Sequence, residues 1–161
     1  SHLVMMRGIQ GSGKSTFAKN LKSCIDAFGI SGAIITSADN YFIKRDGSYA
    51  FDGKLLGEAH KQCQKETRVG LENKNIVIVD NTSLTKYQLQ PYLKMVSHHK
   101  ICFISIMPNN LDDAMCCAQR NVHNVPPKII IEKLKTYESL YNDPELINIR
   151  KLIFTAYIPK E

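Results

Sequence analysis

The sequence predicts a three-layer α/β fold: a parallel sheet of about five strands with helices on both faces. Three observations carry this. Short, continuously apolar runs recur along the chain, stretches with helical periodicity separate them, and a glycine-rich turn joins the first run to the first helix. Continuous apolar strands are those buried on both faces, and strands alternating with helices build parallel sheets.

The predicted strands are Leu3–Arg7, Ala33–Ser37, Ile76–Asp80, Ile101–Met107 and Lys151–Tyr157. Helical patterns lie at 15–28, 54–73, 85–98, 111–121 and 128–141. Leu56, Ala59, His60, Cys63, Gly70 and Leu71 share roughly one face of the second helix. Ile130, Ile131, Leu134, Tyr137, Leu140 and Tyr141 do so in the last. Pro91 is expected to break or restart the helix around it. A chain of 161 residues forms one domain, 1–161, with a full core. Ser1-His2 is compatible with a remnant of cloning.

The composition, 43% apolar and 22% charged, is that of a soluble globular protein. No apolar run approaches the roughly 20 residues that span a bilayer, and no signal-peptide pattern opens the chain. Cysteines 24, 63, 102, 116 and 117 form no C-x-x-C pair. A zinc site or disulfide framework is not expected; reduced, mostly packed thiols are. These features predict an intracellular protein, cytoplasmic or nuclear, with no membrane partner. The excess of 21 basic over 15 acidic residues, a net +6, suits a polyanionic partner such as nucleic acid. A nucleotide-binding enzyme with no polymer substrate can carry the same excess.

The first turn reads Gly8-Ile9-Gln10-Gly11-Ser12-Gly13-Lys14-Ser15, a full match to G-x-x-x-x-G-K-[ST] between a strand and a helix. In that context the motif is a phosphate cradle. Gly8, Gln10, Gly11, Ser12, Gly13, Lys14, Ser15 and Thr16 are the positions that would contact a nucleoside triphosphate, through backbone N–H groups and the positive end of the helix. Lys14 would reach the β- and γ-phosphates, and the Ser15 hydroxyl would ligate Mg²⁺.

In a parallel sheet, ligands sit beyond the carboxyl ends of the strands. Asp39 follows the second strand and Asp80 ends the third, so both are expected to face the phosphate loop. Phosphoryl transfer needs a carboxylate that orients the incoming hydroxyl, a role open to Asp39; capping the following turn is the other. Asp80 can hold Mg²⁺, orient the acceptor, or merely close a strand-end turn. Asn81 and Thr82 offer hydrogen bonds at the same rim. Arg120 lies at a helix junction, where it can stabilise charge on a transferring group or simply favour the helix dipole. His123 is read as a helix cap rather than a phosphate contact, and His60 as a packed helical histidine. Lys44, Arg45 and Lys54, interleaved with Tyr41, Phe42, Tyr49 and Phe51, can form a nucleic-acid surface, a substrate loop or core.

Taken together, Gly8–Ser15, Ser37-Ala38-Asp39-Asn40-Tyr41, Asp80-Asn81-Thr82 and Arg120-Asn121 with Val125-Pro126 resemble the P-loop polynucleotide 5′-hydroxyl kinase domain of bacteriophage type and its eukaryotic relatives. The resemblance runs from Gly8 to about Tyr141. Asp46-Gly47-Ser48-Tyr49 through Phe51-Asp52 and Glu58-Ala59-His60 resemble a subset of that family. The resemblance implies a P-loop kinase fold and transfer of the γ-phosphate of ATP, with Mg²⁺, to a 5′-OH end of DNA or RNA. It implies that Lys14, Asp39 and Arg120 are catalytic, Asp39 as general base and Arg120 as a lid arginine. Val125 and Pro126 would position the adenine, and Ser15 and Asp80 the metal. Asp39, Tyr41, Asp80, Asn81 and Thr82 would meet the acceptor. Two features depart from the family pattern: Phe42 stands where the phage-type domains carry an acceptor-binding arginine, and a second lid arginine has no match. A P-loop kinase for a small molecule or a modified-base hydroxyl, and a non-catalytic ATP-binding interaction module, are the alternatives.

Overall fold

The computed structural model describes residues 1–29 and 31–159. Five parallel strands, β1 (His2–Arg7), β2 (Ala33–Thr36), β3 (Ile76–Val79), β4 (Ile101–Met107) and β5 (Arg150–Thr155), form one sheet in the order β2-β3-β1-β4-β5. Helices α1 (Lys14–Phe28), α2 (Leu56–Glu72), α3 (Lys86–Leu93), α4 (Leu111–Gln119) and α5 (Pro127–Leu134) cover it.

Alternate strand residues feed opposite faces, as the pleat requires. Leu3, Met5, Val77 and Val79 pack beneath α2 and α3 with Ala59, Cys63, Leu89 and Tyr92. Met6, Ile78, Ile104 and Ile106 pack on the other face against Ala18, Ala114, Cys117 and Ile130 of α1, α4 and α5. This is the expected three-layer arrangement. The strand order reverses beside β1, so β1 and β3 end at the switch point where α/β sheets bind ligands.

Two helices are shorter than their periodicity predicts. α3 ends at Leu93 rather than continuing to 98, and Pro91 lies inside it instead of breaking it. Pro91 offers no N–H to the carbonyl of Tyr87, one turn back, and Tyr87 is exposed, so water can serve that carbonyl. α5 ends at Leu134 rather than 141. The next N–H groups, of Thr136 and Tyr137, make tight turns onto Lys133 and Leu134, and Glu138 N–H donates 2.9 Å to the Leu84 carbonyl. Tyr137 and Leu140 still pack on the apolar clusters, but from a turn and a loop rather than a helix face.

Among the described residues, no helix is long and apolar enough to cross a membrane. Cys63 and Cys117 are buried and Cys102 half-buried, as expected of packed thiols, whereas Cys24 and Cys116 are exposed.

Candidate functional site

The Gly8–Ser15 segment leaves β1 as a loop that closes onto α1. Gly8 N–H donates 2.9 Å to the Thr82 carbonyl, tying the loop to the segment after β3. Gly8 and Gly11 take φ values of 151° and 79°. A Cβ at Gly8 would lie 2.4 Å from the Ile106 carbonyl oxygen, and one at Gly11 1.8 Å from that of Cys117. Both positions therefore need glycine for backbone angle and for space. Gly13 caps α1 without a side-chain acceptor, leaving the first N–H groups of the helix to whatever anion the loop holds.

Lys14 is buried and its Nζ donates to the Ile9 carbonyl. Burial pushes its proton affinity down; Asp80 and then Asp39 push it back up. Both carboxylates thus act on the ammonium, as expected for groups facing one crevice.

Asp80 accepts a 2.6 Å hydrogen bond from Ser15 Oγ at Oδ2, while its Oδ1 is buried without a partner. A buried carboxylate oxygen normally has a donor or a cation. Among the described residues no cluster of three or more His, Cys, Asp or Glu forms a metal site. A hydroxyl, a carboxylate and phosphate oxygens are, however, the hard oxygen donors that Mg²⁺ takes at such loops. The Ser15–Asp80 pair fits the ion.

Asp39 lies in the 3₁₀ turn Ala38–Phe42, and Ser37, not Asp39, caps that turn by accepting from Asp39 N–H. Its carboxylate is left for other partners. Oδ1 accepts from the Tyr49 hydroxyl at 3.0 Å, and His123 Nε2 lies 3.4 Å from Oδ2. Asp39 lines a cavity of about 1070 Å³ that extends from Gln10 of the loop to α3 and α5.

Other expectations need correction. Tyr41 turns away from this cavity: its ring meets Phe42 edge-on and it lines a groove between β2 and α2. Tyr49 reaches Asp39 instead. Asn81 lines the cavity, but its Oδ1 accepts from Ala38 N–H and its Nδ2 faces Cys63 and Tyr92, so it pins the Asp39 turn to β3. The Thr82 carbonyl is used by Gly8, and the residue lines the same cavity. Arg120 is not among the residues lining the Asp39 cavity but sits against the phosphate loop: Nε donates 2.7 Å to the Gly11 carbonyl and one terminal nitrogen 2.6 Å to the Tyr157 carbonyl. Val125 and Pro126 line the Asp39 cavity, and Val125 is tied through both its backbone groups to the Asn121 side chain. Phe42 is 4% exposed and packs with Tyr49 and Phe51, so the position that departs from the phage pattern is a core position here.

Lys44 and Arg45 lie in a hairpin whose turn is Asp46-Gly47 and whose bridge pairs Ile43 with Tyr49. His60 lines the cavity, half-buried; burial lowers its proton affinity and Asp39 raises it. Three residues have roles other than the sequence reading gave them, His123 among them, which meets Asp39 instead of capping a helix. Tyr49 stood within an aromatic cluster with no periodicity to single it out. His123 lies 84 positions from Asp39 (123 minus 39) with no motif linking them. Arg7 read as a strand end, yet it is 1% exposed and donates to the carbonyls of Ser83, Leu84, Glu138 and Ser139.

Fold and site together define a P-loop nucleotide-binding protein with kinase-like architecture. Residues 3–126 match the family model described as AAA domain, and the chain belongs to that family. Human NEDD4-binding protein 2 is 32% identical over 149 residues, covering 91% of this chain; the chain spans only 8% of that protein's length. Among solved structures, a sugar kinase from Janibacter sp. HTCC2649 superposes with a TM-score of 0.68 at 14% identity, over 99% of this chain and 87% of that one. A chain of the Pnkp1/Rnl/Hen1 RNA repair complex does so at 0.61 and 19% identity, over 83% of this chain and 43% of that one. At such identities the likeness is one of fold.

Proposed function

We propose that this chain is an ATP-dependent phosphotransferase whose acceptor is a hydroxyl on nucleic acid, a 5′-OH end. The observation that carries the reading is Asp39: a carboxylate without a capping duty, on the wall of a large cavity, close enough to Lys14 to act on its charge. The Gly8–Ser15 loop holds the triphosphate, with Lys14 against the β- and γ-phosphates. The acceptor hydroxyl enters the cavity and attacks the γ-phosphorus as Asp39 takes its proton. Lys14 offsets the negative charge gathering on the transferring group and on the departing ADP. Ser15 and Asp80 would hold Mg²⁺, which neutralises phosphate charge when bound. Arg120 acts as an anchor of the loop through Gly11 rather than as a finger over the phosphates.

The cavity's chemistry supports a base-bearing acceptor. Tyr49, Phe51 and Tyr87 offer ring faces, Gln64 and Gln90 offer amides, and Lys94 and Lys133 offer charge for a backbone phosphate. The test is an acceptor panel with γ-labelled ATP: single-stranded RNA and DNA with free 5′-OH ends, blocked duplexes, nucleosides and sugars. Label on 5′-OH ends that disappears in Asp39→Ala, while ATP binding persists, is the expected result. Label confined to a sugar or nucleoside would establish the small-molecule reading, which Phe42 in place of an acceptor-binding arginine favours. Tight ATP binding with no transfer would establish a binding module.

A further inference from the structure

The α4–α5 connection is a pinned loop. Asn121 Nδ2 donates to the carbonyls of Ala118 (2.7 Å) and Val125 (2.9 Å), and its Oδ1 accepts from Val125 N–H at 3.0 Å. Arg120 fastens the start of the loop to Gly11. The crest of this closed turn carries His123. Its imidazole stacks on the Tyr49 ring, centroids 4.2 Å apart and planes 31° from parallel, with Nε2 at 3.4 Å from Asp39 Oδ2. The Tyr49 hydroxyl holds the other carboxylate oxygen. Two segments remote in sequence therefore address the two oxygens of one carboxylate, and they support each other through their rings.

Tyr49 is the fixed half of this arrangement. Burial, and then the charge of Asp39, push its hydroxyl's proton affinity up, so it remains a neutral donor. His123 is the other half: its Nε2 faces the carboxylate oxygen that Tyr49 leaves free. The other ionisable groups around Asp39 are Lys14 from α1, and His60 from α2, Tyr87 and Tyr92 from α3, Lys94 at its end and Lys133 from α5 on the cavity wall.

We propose that His123 is the outlet for the proton that Asp39 collects. This rests on the phosphotransferase reading above. As the acceptor oxygen bonds to the γ-phosphorus, its O–H bond breaks and the proton goes to Asp39 Oδ2. The bond from the γ-phosphorus to the bridging oxygen breaks, and its electron pair leaves on ADP. The proton then passes from Oδ2 to His123 Nε2, and the imidazole returns it to water. This requires the neutral tautomer with the hydrogen on Nδ1.

The test uses the whole chain and compares His123→Ala, His123→Gln and the wild type. We expect kcat to drop roughly tenfold in His123→Ala with KM for ATP unchanged, and added imidazole to restore part of it. His123→Gln, whose amide can hydrogen-bond Asp39 but cannot relay a proton, should be as slow as His123→Ala. Wild-type kcat in either variant, or a loss in His123→Ala that imidazole does not relieve, would overturn the proposal. A wild type inert on every acceptor would sink the phosphotransferase reading, while an active enzyme whose His123 variants keep full kcat would sink the coupling of His123 to Asp39.

Discussion

Ser15 and Asp80, 65 residues apart in sequence, meet at 2.6 Å, the hydroxyl of one donating to Oδ2 of the other. The contact joins the first turn of α1 to the end of β3, and it leaves Asp80 Oδ1 buried with no partner. An acceptor oxygen held dry in this way favours a cation beside it.

Asp80→Asn keeps the shape of the pair and removes its charge. The Mg²⁺ concentration that gives half-maximal transfer should rise by roughly 10–100-fold, the usual cost of a lost partner around a metal. A titration of transfer rate against Mg²⁺ reads this directly. An unchanged midpoint in Asp80→Asn and in Ser15→Ala would remove both residues from the metal's surroundings.

Gly11 and Gly13 separate two reasons for a glycine. Both have positive φ, but an added Cβ meets the Cys117 carbonyl at 1.8 Å at Gly11 and nothing within 4 Å at Gly13. Gly11→Ala must lift the loop off α4 and break the Arg120 anchor, so ATP affinity should fall by more than tenfold. Gly13→Ala carries only the backbone strain, about 1 kcal/mol or somewhat more. Calorimetric titration with a non-hydrolysable ATP analogue ranks the two, and equal losses would contradict the close-approach argument.

The sheet, the loop and the two strand-end carboxylates were legible in the sequence because each is a local pattern. Alternating apolar runs report burial, and Gly8–Ser15 is a contiguous motif. Helix ends were less legible: the Tyr137 and Leu140 positions satisfy a helical period yet pack from non-helical backbone, because Leu84 takes the Glu138 N–H. The acceptor side was least legible. Tyr49 and His123 matter only because a hairpin and an inter-helix loop converge on Asp39, and no spacing in one dimension records that. The contacts of Arg120 were hidden for the same reason, since its partners are two backbone carbonyls brought together by the fold.

Lys14 couples binding to stability. Burial lowers its proton affinity in the folded chain below the unfolded value, with Asp80 and Asp39 only partly opposing. Below the unfolded value, burying Lys14 therefore opposes folding of the ligand-free protein. That penalty is relieved as pH rises from the folded-state value toward the unfolded value of 10.5. Lys14→Met should raise the melting temperature at pH 7 by a few degrees, and the gain should shrink toward pH 10. It should also abolish the stabilisation that ATP gives the wild type. Thermal melts with and without ATP at both pH values check all three; a Lys14→Met protein that melts lower than wild type at pH 7 would contradict the sign.

Arg7 joins the site from behind. Its guanidinium donates to the carbonyls of Ser83 and Leu84 after β3 and of Glu138 and Ser139 after α5, and lies over the rings of Tyr137 and Phe103 at 4.9 and 5.6 Å. Burial lowers its proton affinity, with Tyr137 and Glu138 opposing, and among the described residues carbonyl dipoles and ring faces, with no direct ion pair, hold the charge. Arg7→Met would leave four carbonyls short of a donor in a dry site, a loss of about 3 kcal/mol or more by urea denaturation. Arg7→Lys keeps the charge, but one ammonium on a flexible stem cannot span carbonyls from two segments as a planar fork does. It should recover less than half of that loss. Because Ser83 and Thr85 line the Asp39 cavity, the residual Arg7→Lys protein should also show a raised KM for acceptor with little change for ATP. Wild-type stability in Arg7→Lys would reduce Arg7 to a point charge and remove it from the framework of the cavity.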